Sequence, residues 1–226
     1  MLKLLAINAN MNLVLNEQSY IKICNFSPKV EIFPNFIPEN QLLDYDYEPS
    51  TEIKDIFYIG RISKDKGSEV ICKIALKMKN VNFHLVGPNE ENFSSRLTNV
   101  IIHDSIPKNE VVEFIKKRAD LLILPSIAEG FPMVYLDSMN SGVPIITNNV
   151  GAASIVFKNQ FLKNYTIVNN NNIDEYIKKI QLLCNINIRK AVSRKNHENL
   201  IKNYTDTVCL KKLTEMYLDS LKNDIN

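Results

Sequence analysis

From about Ile53 onward the chain alternates short, almost uniformly apolar runs with longer stretches whose apolar residues recur at helical spacing. The runs are Asp55–Ile59, Val81–Val86, Val100–Ile102, Leu121–Leu124, Val143–Thr147 and Thr166–Val168. Apolar on both faces, they read as strands buried on both sides. Gly67–Asn80 carries Val70, Ile71, Ile74, Ala75 and Met78 as a helical stripe. A second helix is capped by Asn109 and carries Val111, Val112, Phe114 and Ile115. Pro132–Ser141 has proline in its first turn and Gly142 as its stop, and Ile173–Cys184 follows the polar turn Asn169–Asn172. Strands separated by helices need crossover connections, which predicts a parallel sheet covered on both faces. Ligands of such sheets bind outside the carboxyl ends of the strands. Gly60-Arg61, Gly87-Pro88, His103-Asp104 and Ser126–Glu129 all fall at those ends.

The two ends of the chain read differently. Residues 1–52 hold weak strands at Asn12–Leu15 and Val30–Phe33, a short helix over Glu17–Cys24, and an acidic, proline-containing connection from Glu39 to Thr51. Thr205–Asn226 is an amphipathic helix with Leu210, Leu213, Tyr217 and Leu221 on one face. A net charge of +2 leaves no basic surface of the kind nucleic acid requires. Cys24, Cys72, Cys184 and Cys209 form no C-x-x-C pair, and they read as reduced core or near-core thiols. The opening residues turn polar too soon for a signal peptide, and no apolar run approaches a spanning helix. The expectation is a soluble, cytoplasmic chain.

Two constellations carry candidate chemistry. Gly60-Arg-Ile-Ser-Lys-Asp-Lys-Gly67 joins the first strand to the first helix, and it lets Arg61 and Lys66 converge on one diphosphate. It matches neither a Walker loop nor a dinucleotide fingerprint. In the second, Glu129 and Asp137 have seven residues between them, and Gly130-Phe-Pro132 opens a helix straight after a strand. Such a helix start suits a phosphate, and the flanking carboxylates can hold sugar hydroxyls. Singly, each has a plainer reading. Arg61 and Lys66 could be solvated loop charges, Glu129 a capping acid, and Asp137 a solvated helix residue. His84, His103 and His197 lack metal-ligand spacing; His84 reads as packed or hydrogen-bonded, while His103 could line the cleft. Arg189, Lys190, Arg194 and Lys195 read as a solvated helix face, with docking to an anionic membrane as the alternative.

Together the constellations carry a resemblance. Tyr58-Ile-Gly-Arg-Ile-Ser-Lys-Asp-Lys-Gly67, His84-Leu-Val-Gly-Pro88, Ala119-Asp-Leu-Leu-Ile-Leu-Pro-Ser126, Glu129-Gly-Phe-Pro132, Asn140-Ser-Gly-Val-Pro-Ile-Ile146 and Val150-Gly151 stand in matching order. Over roughly residues 30–222 the chain resembles the C-terminal, donor-binding half of a GT-B glycosyltransferase of the group 1 type (family 4). The resemblance implies a Rossmann-like parallel sheet of about six strands. It divides the chain into a remnant of an N-terminal acceptor domain with a crossing segment (1–50), a nucleotide-sugar donor domain (51–204) and a C-terminal helix (205–226).

The same resemblance implies roles. Arg61 and Lys66 would clamp the donor diphosphate and stabilise charge on the leaving nucleotide. Glu129 would face the transferred sugar. Backbone around Gly60, Gly87, Gly130, Phe131, Met133 and Val134 would line the donor site, Ile106 would touch the base, and Asp137 would bind the ribose. The substrate would be a UDP- or GDP-sugar, the acceptor a glycan or lipid-linked glycan, and the outcome retention without a metal or other cofactor. The resemblance also allows a peripheral place at the inner face of the membrane.

Three departures stand out. Asp137 replaces the usual Glu, Phe36 stands where a glycine is usual, and no acid follows Val150-Gly151. Moreover, only about 35–50 residues precede the donor half, where a whole family member carries a complete acceptor domain. Two rivals follow: a binding subunit that needs a separate acceptor-domain partner, and a truncated, inactive remnant. An epimerase of similar fold fits this motif set less well.

Overall fold

The computed structural model describes residues 2–27 and 29–223, without the side chains of residues 2 and 221–223. In chain order its elements are α1 (Leu2–Asn8), β1 (Asn12–Val14), α2 (Glu17–Cys24), β2 (Val30–Ile32), β3 (Asp55–Ile59), α3 (Ser68–Lys77), β4 (Asn82–Val86), β5 (Val100–His103), α4 (Val111–Arg118), β6 (Leu121–Leu124), α5 (Met133–Ser141), β7 (Ile145–Asn148), α6 (Ala153–Val156), α7 (Gln160–Thr166), β8 (Ile167–Val168), α8 (Ile173–Leu183), α9 (Ile186–Asn203) and α10 (Asp206–Asn223). Six strands form one parallel sheet in the order β5-β4-β3-β6-β7-β8. Helices cover both faces, with α3 against α8, α4 against α5, and α5 against α9.

The short apolar strands supply the core directly. Ile56, Phe83, Leu85, Leu121 and Ile146 are fully buried between the helical layers. Building starts at β3, adds β4 and β5 on one side, then returns to place β6, β7 and β8 on the other. The strand order therefore reverses between β3 and β6. That is where adjacent crossovers leave opposite faces and open a crevice at the carboxyl ends.

Several boundaries differ from the sequence reading. Asn109 is not a cap: residues 108–110 form a 3-10 turn, and Glu110 precedes α4 with a helical backbone and no side-chain cap. Thr166 ends α7 rather than opening β8. The sequence pattern does not announce helices α1, α6 and α7; α6 and α7 are short, and their stripes are too brief to show periodicity. Arg189 is fully buried instead of solvated, because α9 lies under the strap of residues 42–53. Cys184 is exposed, as is Cys24, whereas Cys209 is buried.

That strap has no regular structure and is tied down by side chains. Asn140 donates to Gln41 O and accepts from Leu43 N–H, Tyr45 donates to Ser193, and Lys190 pairs with Glu48. Before it, β1 and β2 make a separate two-stranded parallel sheet with α2 between them. Ile37 bridges to Thr205, which seats α10 near this unit. Of the predicted stripe on α10, Leu210 and Tyr217 are exposed; the Leu221 side chain and residues 224–226 lie outside the described residues.

Candidate active site

The loops that follow β3 and β6 meet at the reversal point. Ile127 N–H donates to Asp65 O at 2.8 Å. Gly67 takes a left-handed φ of +85°, and a Cβ there would lie 2.2 Å from Pro125 O. Only glycine permits that approach. On the other side, Gly60 N–H donates to Val86 O at 3.0 Å, and Gly87 packs on the Gly60 carbonyl so closely that a Cβ would meet it.

These contacts shape a pocket of roughly 270 Å³ lined by Gly60, Arg61, Lys66, Glu129, Met133, Val134 and Asp137, with Tyr58, Val111 and Pro132 completing the wall. Seven residues singled out from sequence thus converge. The helix α5 starts here with Pro132 at its N-cap position, so the first amides, including Met133 and Val134, have no carbonyl one turn earlier to bond. They leave a donor-rich, positive helix end at the pocket.

The charges are already matched. Lys66 Nζ lies 2.8 Å from Glu129 Oε1, and Arg61 Nη2 lies 3.0 Å from Asp65 Oδ2. Ser63 Oγ donates to Asp65 at 2.5 Å, and these two donors hold the Asp65 carboxyl below its usual range, Ser63 contributing most. Asp137 is different. Among the described residues it makes no hydrogen bond or ion pair, and burial pushes its carboxyl up to about 6, opposed by the charge of Lys108. A half-buried carboxylate without a partner in the pocket wall is ready to accept hydrogen bonds from an incoming hydroxyl.

Four predicted site residues are not among those that line the pocket. Phe131 is buried, its ring set edge-on to Tyr135 and Tyr204, and its carbonyl accepts from Asn35. Gly130 borders a neighbouring apolar cavity under α1, α2 and β1, and its carbonyl accepts from Asn16 and Ala152. Ile106 packs on the core and does not line the pocket. Gly87 supports Gly60 from behind. His103 does not line the pocket either; its Nε2 meets His84 Nδ1 at 2.9 Å, while His84 Nε2 meets Asp55.

Sequence reasoning missed Asp65 and Tyr58. Both stand inside the motif quoted above; Tyr58 donates to Arg61 O at 2.6 Å and so fixes the turn that presents the arginine. No group of three or more His, Cys, Asp or Glu side chains among the described residues could hold a metal ion. No helix among them is long and apolar enough to cross a membrane.

Comparison with known proteins points the same way. The family model for glycosyl transferases group 1 matches residues 46–207. An uncharacterized glycosyltransferase of Haemophilus influenzae is 31% identical over 157 residues, which is 65% of this chain and 44% of that one. The N,N'-diacetylbacillosaminyl-diphospho-undecaprenol alpha-1,3-N-acetylgalactosaminyltransferase of Campylobacter jejuni is 24% identical over 229 residues, covering 95% of this chain and 57% of its own. Among solved structures, Anabaena HepE in complex with UDP and glucose superposes with a TM-score of 0.77 at 14% identity, over 95% of this chain and 64% of that one. The chain spans about half the length of the curated relatives it matches.

Proposed function

Because the chain belongs to the group 1 glycosyl transferases, we propose that its pocket binds a nucleoside-diphosphate sugar, UDP- or GDP-linked, as the donor half of a hexosyl-type transferase. The observation that carries this reading is the convergence of Arg61, Lys66, Glu129 and Asp137 with the α5 N-terminus at the point where the strand order reverses. Arg61 and Lys66 hold the diphosphate and stabilise the charge that grows on it as the glycosidic bond breaks. The positive end of α5 adds to that field without reorganising. Asp137 accepts the ribose hydroxyls, and Glu129 faces the sugar. In this reading the two cations and the helix supply the charge that a metal would otherwise supply.

The acceptor is a glycan or a lipid-linked glycan, transferred to with retention. The name of the Campylobacter jejuni relative, which carries a diphospho-undecaprenol acceptor, supports the lipid-linked choice. Such an acceptor would bring the protein to the inner face of a membrane from the cytoplasm.

A second reading, in which this chain holds the donor and a separate acceptor domain completes the cleft, is favoured by exposed apolar side chains on the N-terminal unit and α10. Helix α2 buries none of its residues, and Leu4, Leu5, Leu13, Ile21, Leu210 and Tyr217 are all exposed. A three-residue parallel strand pair is too small to be stable as a sheet of its own.

Calorimetry with UDP, GDP and their common sugars tests both readings. The expected result is specific binding of one nucleotide, lost in an Arg61→Ala/Lys66→Ala double variant. Binding without turnover on any acceptor favours the subunit reading. A folded chain that binds no nucleotide sinks both.

A further inference from the structure

Resting on that donor reading, we infer that the Lys66–Glu129 ion pair makes the site discriminate between an intact nucleotide sugar and the bare nucleoside diphosphate left after transfer. Lys66 comes from the loop after β3, and Glu129 from the loop after β6. Their side chains are 23% and 11% exposed, so the pair is largely withdrawn from water. Arg61 is matched with Asp65 at 3.0 Å. Arg61 and Lys66 are therefore each already paired with a carboxylate before any anion arrives.

Lys66 spends one of its three N–H donors on Glu129, so a diphosphate that draws the ammonium toward its own oxygens competes with Glu129 for that charge. Where the diphosphate wins, Glu129 is a nearly buried carboxylate without its cation, a state that is costly unless new donors reach it. An intact donor brings them, because its sugar carries hydroxyls next to the diphosphate. A bare nucleoside diphosphate has the same phosphates and no hydroxyls at that position. The pair thus hands Glu129 from Lys66 to the sugar when the full donor binds, and it penalises the diphosphate alone. No covalent step is involved. The consequence is that the product is held less tightly than its phosphate contacts alone would allow, which favours its release.

Calorimetry on the full chain decides the matter, with UDP, GDP, UDP-glucose, UDP-galactose, UDP-N-acetylglucosamine and GDP-mannose as probes. The isosteric Glu129→Gln variant is expected to bind the nucleoside diphosphate about three- to tenfold more tightly, and to bind the intact donor more weakly than the unmodified chain does. In a Lys66→Met background the same substitution is expected to leave diphosphate binding unchanged, since the competition has been removed. Equal tightening of diphosphate and donor would mark a plain loss of negative charge and overturn the inference. So would tightening that persists without Lys66. An unmodified chain that binds none of the probes overturns the donor reading itself, a result distinct from either of these.

Discussion

Gly67 lies so close to Pro125 that a Cβ at position 67 would stand 2.2 Å from the proline carbonyl oxygen, with the backbone at a φ of +85°. Position 67 joins the Arg61–Lys66 loop to α3, and Pro125 opens the loop that leads to Glu129. The contact sets the distance between the two charged loops. Gly67→Ala carries both a steric clash with backbone and a left-handed strain. It is expected to lower stability by about 2–4 kcal/mol and to weaken nucleotide binding. Urea unfolding read by circular dichroism checks the first effect; an alanine variant as stable as the unmodified chain would show that the loops separate freely.

Tyr58 acts one step further back. Its hydroxyl donates to the Arg61 carbonyl at 2.6 Å, and desolvation holds its proton on well above the ordinary phenol range. Tyr58→Phe removes that bond while leaving the ring in the core. The expected cost is about 1 kcal/mol of stability, together with weaker nucleotide binding because the turn that presents Arg61 is less constrained. Binding that stays unchanged in the phenylalanine variant would refute the positioning role of this hydroxyl.

Arg189 presents the opposite case, a buried charge with few partners. It is fully buried, Nη2 donates to Ser50 O and the Tyr47 hydroxyl lies near the guanidinium, but among the described residues Nε and Nη1 find no well-aligned acceptor. A buried cation without a carboxylate beside it costs more than a close-packed apolar side chain of similar length. Arg189→Met is therefore expected to leave stability unchanged or raise it by about 1–2 kcal/mol. Arg189→Ala is expected to lower it, because the strap over α9 would rest on a cavity. The urea midpoints of the two variants should move apart; a methionine variant that falls as far as the alanine would show that the guanidinium itself holds the strap.

The parallel sheet was legible because its strands are buried on both faces, and apolar runs such as Leu121–Leu124 announce that burial directly. The helices with full-length stripes, α3 and α8, were legible for the same reason. Helix α9 shows why others were not. It buries Arg189, Ser193, Asn196 and His197, polar residues whose burial depends on the strap folding over them. No local pattern encodes that contact, since its partners are more than a hundred residues away. At the site, the residue types and spacing identified Arg61, Lys66, Glu129 and Asp137, and chain geometry brought them together. The direction of Phe131 was not legible. A side chain next to a glycine at a helix entry can face the pocket or the core, and the aromatic neighbours Tyr135 and Tyr204 decide for the core. The pairing of Lys66 with Glu129 is not legible either, because the two stand 63 residues apart in loops that only the folded sheet brings together.

Asp137 gives the clearest pH dependence. Burial raises its carboxyl from 3.8 to about 6. A carboxyl raised by folding binds its proton more tightly in the native state than in the unfolded chain. Between about 3.8 and 6 the native state therefore holds more protons, and its stability falls as pH rises through that window. At pH 7 the charged Asp137 is a net cost. Asp137→Asn is expected to stabilise the protein on the order of 1–2 kcal/mol near neutrality and to have little effect near pH 4. Nucleotide binding should move the other way. The ionised carboxylate is the better acceptor for ribose hydroxyls, so affinity should rise as pH passes 6 and lose that rise in the asparagine variant. Thermal melts at pH 4 and 7, paired with calorimetry across the same range, separate the two effects. A variant less stable at pH 7 than the unmodified chain would mean that the carboxylate has a partner in solution, and an affinity that ignores pH in both proteins would remove Asp137 from the ribose site.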